Sequence, residues 1–228
     1  MIKDLTSSPF EYLPYPIRNT SIPCTNCTVH SGFMGGWNET KPIVMPVLKQ
    51  LMSEYPEYKV VLTGHSLGGA ISALAALELK ARGINVTITT FGEPRLGNNE
   101  MAGYMDKIFP WNVSESEATF RRVTHVEDPV PLLPFEKWGW AMHGGEIYIS
   151  KPGLPPSIED LQRCEGPADE RCIQGPSQSF PVQDQQTMNL PKSLKLWQLL
   201  FAHREYFWRV GLCFDPQWRS YKPIDSSN

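Results

Sequence analysis

One stretch decides the fold of this chain: Tyr58-Lys59-Val60-Val61-Leu62-Thr63-Gly64-His65-Ser66-Leu67-Gly68-Gly69. Its first half is a short β-prone run, which predicts a buried strand of a parallel sheet. The following segment, Ala70 to Arg82, is rich in alanine and leucine and is followed by Gly83, a pattern typical of a helix with a glycine stop. The turn between them must be sharp. Together these features predict an α/β unit.

The turn itself, Gly64-His65-Ser66-Leu67-Gly68, has the form Gly-x-Ser-x-Gly. A serine nucleophile must stand out on a tight, strained turn between a strand and a helix, and the flanking glycines let the backbone approach closely. A glycine-rich turn with an incidental serine is the alternative, and this pattern arises by chance in roughly one chain in ten of this length. The strand and the helix on either side favour a nucleophile. We therefore predict that Ser66 is a catalytic nucleophile.

The rest of the chain alternates in the same way. Helical spacing of apolar residues occurs at Glu39–Ser53, with a possible kink at Pro46, and in Asn98–Phe109 and Leu194–Ala202. Strand-like runs occur at Ile84–Phe91, Phe120–His125 and Glu146–Ile149. Residues 1–28 and 151–192 are expected to be loop-rich. We predict a single α/β domain over residues 1–228, with a mostly parallel central sheet and helices on both faces.

The composition excludes several classes of function. Of the 228 residues 41% are hydrophobic and 20% charged, which suits a chain with a sizeable core. The net charge of −3 argues against nucleic acid as a partner. The sequence has no run of about eighteen apolar residues, so we expect no transmembrane helix. Residues 1–5 lack the apolar segment of a signal peptide.

The asparagines and cysteines nevertheless indicate secretion. Five of nine asparagines begin an Asn-x-Ser/Thr sequon: Asn19, Asn26, Asn38, Asn85 and Asn112. Cys24 and Cys27 form a Cys-x-x-Cys motif, which could be a redox motif or half a zinc site, but no second ligand pair follows at the required spacing. We therefore expect two short disulfides, Cys24–Cys27 and Cys164–Cys172, and an unpaired Cys213.

A serine nucleophile requires a base and an orienting carboxylate. In α/β-hydrolases these follow the serine in the order acid, then histidine. Asp128 comes just after a predicted strand, in Thr124-His125-Val126-Glu127-Asp128-Pro129, and is the first candidate for the acid. The competing carboxylates, which the sequence leaves open, are Glu127, Asp106, Asp160, Asp169 and Asp184.

Five histidines compete for the base: His30, His65, His125, His143 and His203. Chain order removes the first three, although His65 could still pack beside the nucleophile. His203 follows an apolar segment late in the chain, where a loop can fold back over the sheet edge. It is favoured over His143, which stays open as the alternative.

Several blocks together resemble the fungal lipase family, the class 3 lipases. They are Val29-His30-Ser31-Gly32-Phe33 with Trp37, the stretch from Tyr58 to Ala70, Thr90-Phe91-Gly92-Glu93-Pro94-Arg95-Leu96-Gly97-Asn98, Arg122-Val123-Thr124-His125 with Asp128-Pro129-Val130-Pro131, and Ala202-His203-Arg204-Glu205-Tyr206-Phe207. The blocks stand in the family's order across residues 29–213.

This resemblance implies an α/β-hydrolase fold and a triad of Ser66, His203 and Asp128. It implies that the backbone N–H of Leu67 is one oxyanion donor. It further implies hydrolysis of acylglycerols or related carboxylic esters through an acyl-enzyme, without metal or organic cofactor. The expected partner is a lipid or ester substrate, at a lipid–water interface, in a secreted protein.

The sequence also departs from the family pattern. In the family, a strand ending in Phe-Arg-Gly-Ser/Thr supplies a second oxyanion donor and precedes a lid helix, and no such motif stands upstream of Val29. Residues 1–5 resemble the closing end of that lid. The family ties its C-terminal cysteine to one near its N-terminus, which would explain Cys213. We expect an N-terminally incomplete chain, and keep two alternatives: a catalytically impaired relative, and a feruloyl-type esterase on the same scaffold.

Overall fold

The structure is a computed structural model that describes residues 9–11, 22–175 and 202–210. Its helices and strands are, in chain order, β1 (Pro9–Glu11), β2 (Thr28–His30), α1 (Ser31–Glu54), β3 (Val60–His65), α2 (Leu67–Ala81), β4 (Val86–Phe91), β5 (Gly97–Asn98), α3 (Asn99–Ile108), β6 (Phe120–His125), β7 (Trp140–Ala141), β8 (Glu146–Ile149) and β9 (Leu161–Arg163). Short 3-10 helices lie at Val130–Leu132, Glu136–Trp138 and Ile158–Asp160.

The larger sheet has the strand order β3-β4-β6-β8-β9. The first four strands are parallel to one another, and β9 is antiparallel to β8. This arrangement confirms the predicted α/β class and the mostly parallel sheet. The strands β6 and β8 have the predicted bounds. Because the strands are parallel, the loops that follow β3, β4 and β6 leave the sheet at one edge, where an α/β fold places its functional residues.

The helix α2 joins β3 to β4 and is the most deeply buried element. Its small residues allow close packing on the sheet, and the buried set is Ala70, Ala73, Leu74, Ala75, Ala76, Leu77 and Leu79. On α2, Glu78 is also buried. Its carboxylate accepts from Trp37 Nε1 at 2.9 Å and pairs with Lys41 Nζ at 2.9 Å and with Arg82. The contacts of Glu78 with Trp37 and Lys41 link α2 to α1.

The prediction for α1 was wrong at its start. The helix begins at Ser31 rather than Glu39, because the ring Nδ1 of His30 caps it by accepting from the N–H of Gly32 at 3.1 Å. The helix runs through Pro46 without ending. The predicted apolar stripe is not its packed face, since Ile43 and Val47 are 73% and 55% exposed. The helix is anchored instead by buried Phe33 and Trp37.

The prediction that β3 is a buried strand was also wrong. Within the described residues β3 pairs with β4 alone and forms the edge of the larger sheet. One of its faces packs on the core through Val60 and Leu62, whereas Val61 on the opposite face is 66% exposed. Within the described residues, the turn that carries Ser66 therefore follows a strand with a neighbour on one side only.

The two loop-rich segments contain short strands that the sequence did not predict. Within residues 1–28, β1 pairs antiparallel with β2 in a second sheet of order β1-β2-β5-β7. Within residues 151–192, the described part includes a 3-10 helix and β9. The predicted disulfides Cys24–Cys27 and Cys164–Cys172 are both formed. Cys213 and most of the predicted helix Leu194–Ala202 lie outside the described residues.

No helix in the described part of the chain combines the length and the apolar character needed to cross a bilayer.

Candidate active site

Ser66 lies at the sharp turn between β3 and α2. Its backbone has φ 57° and ψ −129°, a region that a non-glycine residue rarely adopts and that costs of order 1–3 kcal/mol. The strained turn is held on both sides: the N–H of Ser66 donates to the carbonyl of Phe91 at 2.9 Å, and its carbonyl accepts from Gly69 and Ala70 at 2.9 and 3.2 Å. This is the geometry of a nucleophile elbow.

The elbow requires glycine at Gly64. A Cβ built there would lie 2.3 Å from the carbonyl oxygen of Gly68, so no side chain fits. A Cβ at Gly68, by contrast, would meet nothing within 4 Å. The expectation that glycine is needed on both sides of Ser66 is therefore met at Gly64 only. Gly68 contributes the backbone carbonyl that lies close to Gly64.

Asp128 lies in the loop that follows β6 and is completely buried. Its carboxylate accepts from three donors: the N–H of Val130 at 2.9 Å, Nδ1 of His203 at 3.0 Å and the hydroxyl of Tyr206 at 2.5 Å. These charge-assisted bonds hold both carboxylate oxygens in place.

The competing carboxylates have other partners. Asp106 accepts from the N–H of Gly144. Asp160 accepts from Ser157, and Asp169 pairs with Arg171. Glu127 precedes Asp128 with φ 68°, and Asp184 lies outside the described residues. Among the described candidates, Asp128 is the one that contacts His203.

His203 is 6% exposed and directs Nδ1 at both oxygens of Asp128, at 3.1 and 3.0 Å. A carboxylate only accepts, so Nδ1 carries the proton and Nε2 is bare in the neutral ring. Among the described residues, the buried Nε2 has no hydrogen-bond partner, and it forms no hydrogen bond to Ser66 in this structure. His143, the alternative base, instead contacts Glu93 at 3.1 Å through its Nε2.

Tyr206 is a site residue that the sequence reasoning did not single out. It is buried, and burial together with the neighbouring Asp128 carboxylate raises its pKa well above the ordinary value, so the phenol stays protonated and donates to Asp128. Its position three residues after His203, in the same sequence block, was the available signal. Because Asp128 lies 78 positions away in the sequence, the block did not indicate that Tyr206 donates a hydrogen bond to it.

Gly92 closes the cluster from the end of β4. Its φ of 59° is left-handed, and a Cβ there would lie 2.6 Å from the Tyr206 hydroxyl, 2.9 Å from Cε1 of His203 and 3.0 Å from Oδ2 of Asp128. Glycine is therefore needed both for the backbone and for the space. The cluster is packed tightly around this position.

The elbow and the histidine meet through His65. Its Nε2 lies 2.6 Å from the carbonyl oxygen of His203, and the two rings are 4.5 Å apart at their centroids. The structure thus brings together Asp128, His203 and the residue preceding Ser66. At the other side of Ser66, the half-buried Leu67 begins α2, where unpaired N–H groups favour negative charge.

A strained serine elbow after a parallel strand, with a buried aspartate–histidine pair at the same sheet edge, defines the α/β-hydrolase class. The comparisons with known proteins narrow this class. The family model described as Lipase (class 3) matches residues 2–138. The chain belongs to the class 3 lipase family.

Relatives and solved structures agree with that membership. The chain is 45% identical to Lipase A of Sodiomyces alcalophilus over 246 residues, and 46% identical to Secreted mono- and diacylglycerol lipase 2 of Gibberella zeae over 241 residues. Each match covers 93% of this chain and 59% of the relative, so the chain spans about three fifths of their length. The crystal structure of Lip2 lipase from Yarrowia lipolytica superposes with a TM-score of 0.75 at 27% identity, over 93% of this chain and 67% of that one. These neighbours confirm the predicted α/β-hydrolase fold.

Proposed function

We propose that the chain acts as a serine carboxylic ester hydrolase of the lipase type, with acylglycerols as substrates. The observation that carries the proposal is the buried His203–Asp128 pair, because the His203 ring lies 4.5 Å from the ring of His65, the residue before the strained elbow at Ser66. Family membership supports ester hydrolysis, and the names of the two relatives, a lipase and a mono- and diacylglycerol lipase, support the substrate class.

In the proposed acylation step, Nε2 of His203 takes the proton from the Ser66 hydroxyl as its oxygen attacks the ester carbonyl carbon. The C–O bond to the glycerol oxygen then breaks, and that oxygen leaves with the proton from His203. Asp128 stabilises the imidazolium that exists between these two transfers. Its three hydrogen-bond donors keep its charge fixed next to Nδ1.

In the proposed deacylation step, water attacks the acyl-enzyme and gives its proton to Nε2 of His203. The bond between the acyl carbon and the Ser66 oxygen then breaks, the acyl group leaves as a fatty acid, and the Ser66 oxygen takes the proton back from Nε2 of His203. The oxyanion in both steps forms beside the N-terminus of α2, where the N–H of Leu67 is the proposed donor. Removing one such donor typically costs about 10²–10³ in turnover.

Hydrolysis of p-nitrophenyl esters tests this proposal. Wild-type protein is expected to release p-nitrophenol, whereas Ser66→Ala should lose at least about 10³-fold. The matched control is Ser72→Ala. Ser72 lies on α2, the helix that follows Ser66, and its hydroxyl donates to the carbonyl of Thr63 at 3.2 Å, outside the Asp128–His203–Tyr206 cluster. Equal rates in wild type and Ser66→Ala would remove Ser66 as the nucleophile. Release of fatty acid from mono-, di- and triacylglycerols then defines the substrate class.

A second candidate function is that of a catalytically impaired lipase relative, which binds an ester or is acylated by it but hydrolyses it slowly. The edge position of β3 favours it, because among the described residues this strand pairs with β4 alone and Val61 is 66% exposed. Catalysis depends on rigid placement of such groups. A fluorophosphonate probe separates the two candidates. Stoichiometric labelling of Ser66 without ester turnover would identify the impaired relative.

Secretion with N-glycosylation is the proposed localisation. The described sequon asparagines, Asn26, Asn38, Asn85 and Asn112, are all exposed, and the relative from Gibberella zeae is named a secreted lipase. Asn19 lies outside the described residues. Expression in a eukaryotic secretory host should give protein whose mass falls on endoglycosidase treatment. An unchanged mass would contradict the glycosylation part of the proposal.

A further inference from the structure

His65 contacts the proposed base although the mechanism above does not use it. It ends β3 and directly precedes Ser66. Its Nε2 is 2.6 Å from the backbone carbonyl oxygen of His203, and its ring lies 4.5 Å from the His203 ring at an interplanar angle of 34°. The ring of Tyr206 lies edge-on at 5.8 Å. One imidazole therefore bridges the elbow and the histidine segment.

The chemistry of this contact fixes the tautomer of His65. A backbone carbonyl only accepts, so Nε2 of His65 carries the proton and donates it. Partial burial lowers the pKa of His65, and the hydrogen bond to the His203 carbonyl raises it. The charges of His203 and Arg204 lower this pKa further, whereas the charge of Asp128 raises it. The net direction is downward, so the ring is neutral at neutral pH.

This hydrogen bond gives His203 a second anchor. Asp128 holds the imidazole of His203 through Nδ1, but a ring can still move with its main chain. The bond from His65 holds that main chain at the carbonyl. Because Ser66 is the next residue after His65, this side chain links the elbow directly to the main chain of His203.

We propose, on the basis of the proposed triad, that His65 is a positioning residue whose neutral imidazole holds the main chain of His203 against the elbow. Neutrality matters for the same step. His203 becomes cationic when it takes the proton from Ser66, and a second cationic ring at 4.5 Å would repel it. A neutral donor supplies the hydrogen bond without that repulsion.

Two substitutions and a matched control test the proposal. His65→Gln keeps a neutral N–H donor at a similar reach, whereas His65→Leu keeps bulk and removes the donor. Ser72→Ala removes a side-chain bond to a β3 carbonyl away from the cluster. We expect His65→Leu to lower kcat about tenfold with little change in KM, which is about the scale of one hydrogen-bond acceptor left unsatisfied. His65→Gln should restore kcat to within about threefold, and Ser72→Ala should match wild type. The concentration of competent enzyme is set by fluorophosphonate titration, so loss of fold is not read as loss of rate.

A second measurement does not depend on turnover. Nitrogen-15 NMR of labelled histidines should show His65 as the neutral Nε2–H tautomer at pH 7. The His203 ring signals should shift in His65→Leu but stay near wild type in His65→Gln and Ser72→Ala. Wild-type protein without esterase activity would refute the proposed function, and the NMR result would still decide the role of His65. A Nδ1–H tautomer at His65, unshifted His203 signals in His65→Leu, or equal impairment of the Gln and Leu variants would overturn the positioning role.

Discussion

Replacing Gly92 by alanine perturbs the whole candidate site with one methyl group. The added Cβ would lie 2.6 Å from the Tyr206 hydroxyl, 2.9 Å from Cε1 of His203 and 3.0 Å from Oδ2 of Asp128. Real Cβ atoms essentially never approach closer than 3.0 Å, so Tyr206 must move by at least about 0.4 Å. All three groups share hydrogen bonds, and displacing one displaces the others.

Two effects combine in this variant. The left-handed φ of 59° costs alanine about 1–2 kcal/mol relative to glycine, whatever the surrounding space. The steric displacement acts on the geometry of the base. Because a misplacement of about 1 Å can cost 10²-fold in rate, a shift of at least about 0.4 Å should lower kcat by between about sixfold and 10²-fold. KM should change far less.

Gly83→Ala is the matched control. Gly83 also has a positive φ, 77°, but a Cβ there meets nothing within 4 Å. This variant should lose only about 1–2 kcal/mol of the free energy of unfolding, which is the cost of the positive φ, and should keep the wild-type kcat. Urea unfolding gives the stabilities, and p-nitrophenyl ester hydrolysis per titrated site gives the rates. If folded Gly92→Ala hydrolyses ester as fast as Gly83→Ala, the Asp128–His203–Tyr206 cluster is not the catalytic base system.

Two further predictions concern buried carboxylates. Tyr206→Phe removes one of the three hydrogen-bond donors to Asp128. It should lower kcat for ester hydrolysis about tenfold, and the free energy of unfolding in urea by about 1.5–3 kcal/mol. An unchanged kcat would contradict a role of Tyr206 in holding Asp128 next to His203. Burial alone would raise the pKa of Glu78, but the hydrogen bonds from Lys41, Arg82 and Trp37 outweigh burial, so the pKa of Glu78 is lowered. The ionised Glu78 therefore stabilises the fold at pH values above its ordinary pKa of 4.5, and this stabilisation is lost as the pH falls through the lowered pKa. Glu78→Gln should therefore destabilise the fold by about 1–3 kcal/mol at pH 7, and the difference from wild type should shrink below pH 4.5; a difference independent of pH between 7 and 3 would refute the ionic role.

The elbow could be predicted from the sequence because every interaction that shapes it is local. The strand, the turn and the helix lie within about 25 residues, and the steric demand at Gly64 involves a residue only four positions away. Periodicity and turn chemistry report such interactions directly. Even the strained φ of Ser66 follows from the need to reverse direction between β3 and α2.

The rest of the site depends on contacts between distant residues. The bonds from Asp128 to His203 and Tyr206 span 75 and 78 positions. The sequence therefore left Glu127 and His143 as alternatives and gave Tyr206 no partner. Gly92 stands in one of the blocks shared with the lipase family, but the sequence predicts no role for it. Its role depends on which side chains pack against it, and a single sequence does not encode that in any local pattern.

The missed elements of the fold have a similar cause. The strands β1, β2, β5, β7 and β9 are two or three residues long, too short for an alternating pattern to be recognised. The helix α1 begins with a histidine cap and a glycine-rich turn, which local propensities do not favour. The apolar residues Ile43 and Val47 fit a helical stripe but are exposed, because periodicity identifies a helix face and not what covers it.

These observations separate two parts of the candidate site that can fail independently. The elbow is held by β3, β4 and α2, through bonds from Ser66 to Phe91 and Gly69. The proposed base, His203, lies on residues 202–210, whose hydrogen bonds to the elbow and to Asp128 involve His65, His203 and Tyr206. Loss of those bonds would leave a folded sheet with a formed elbow but an unactivated serine. In the proposed mechanism ester turnover depends on the docking of residues 202–210, whereas the free energy of unfolding also includes the larger apolar core around α2. A variant that separates the two quantities identifies the part of the site it has disturbed.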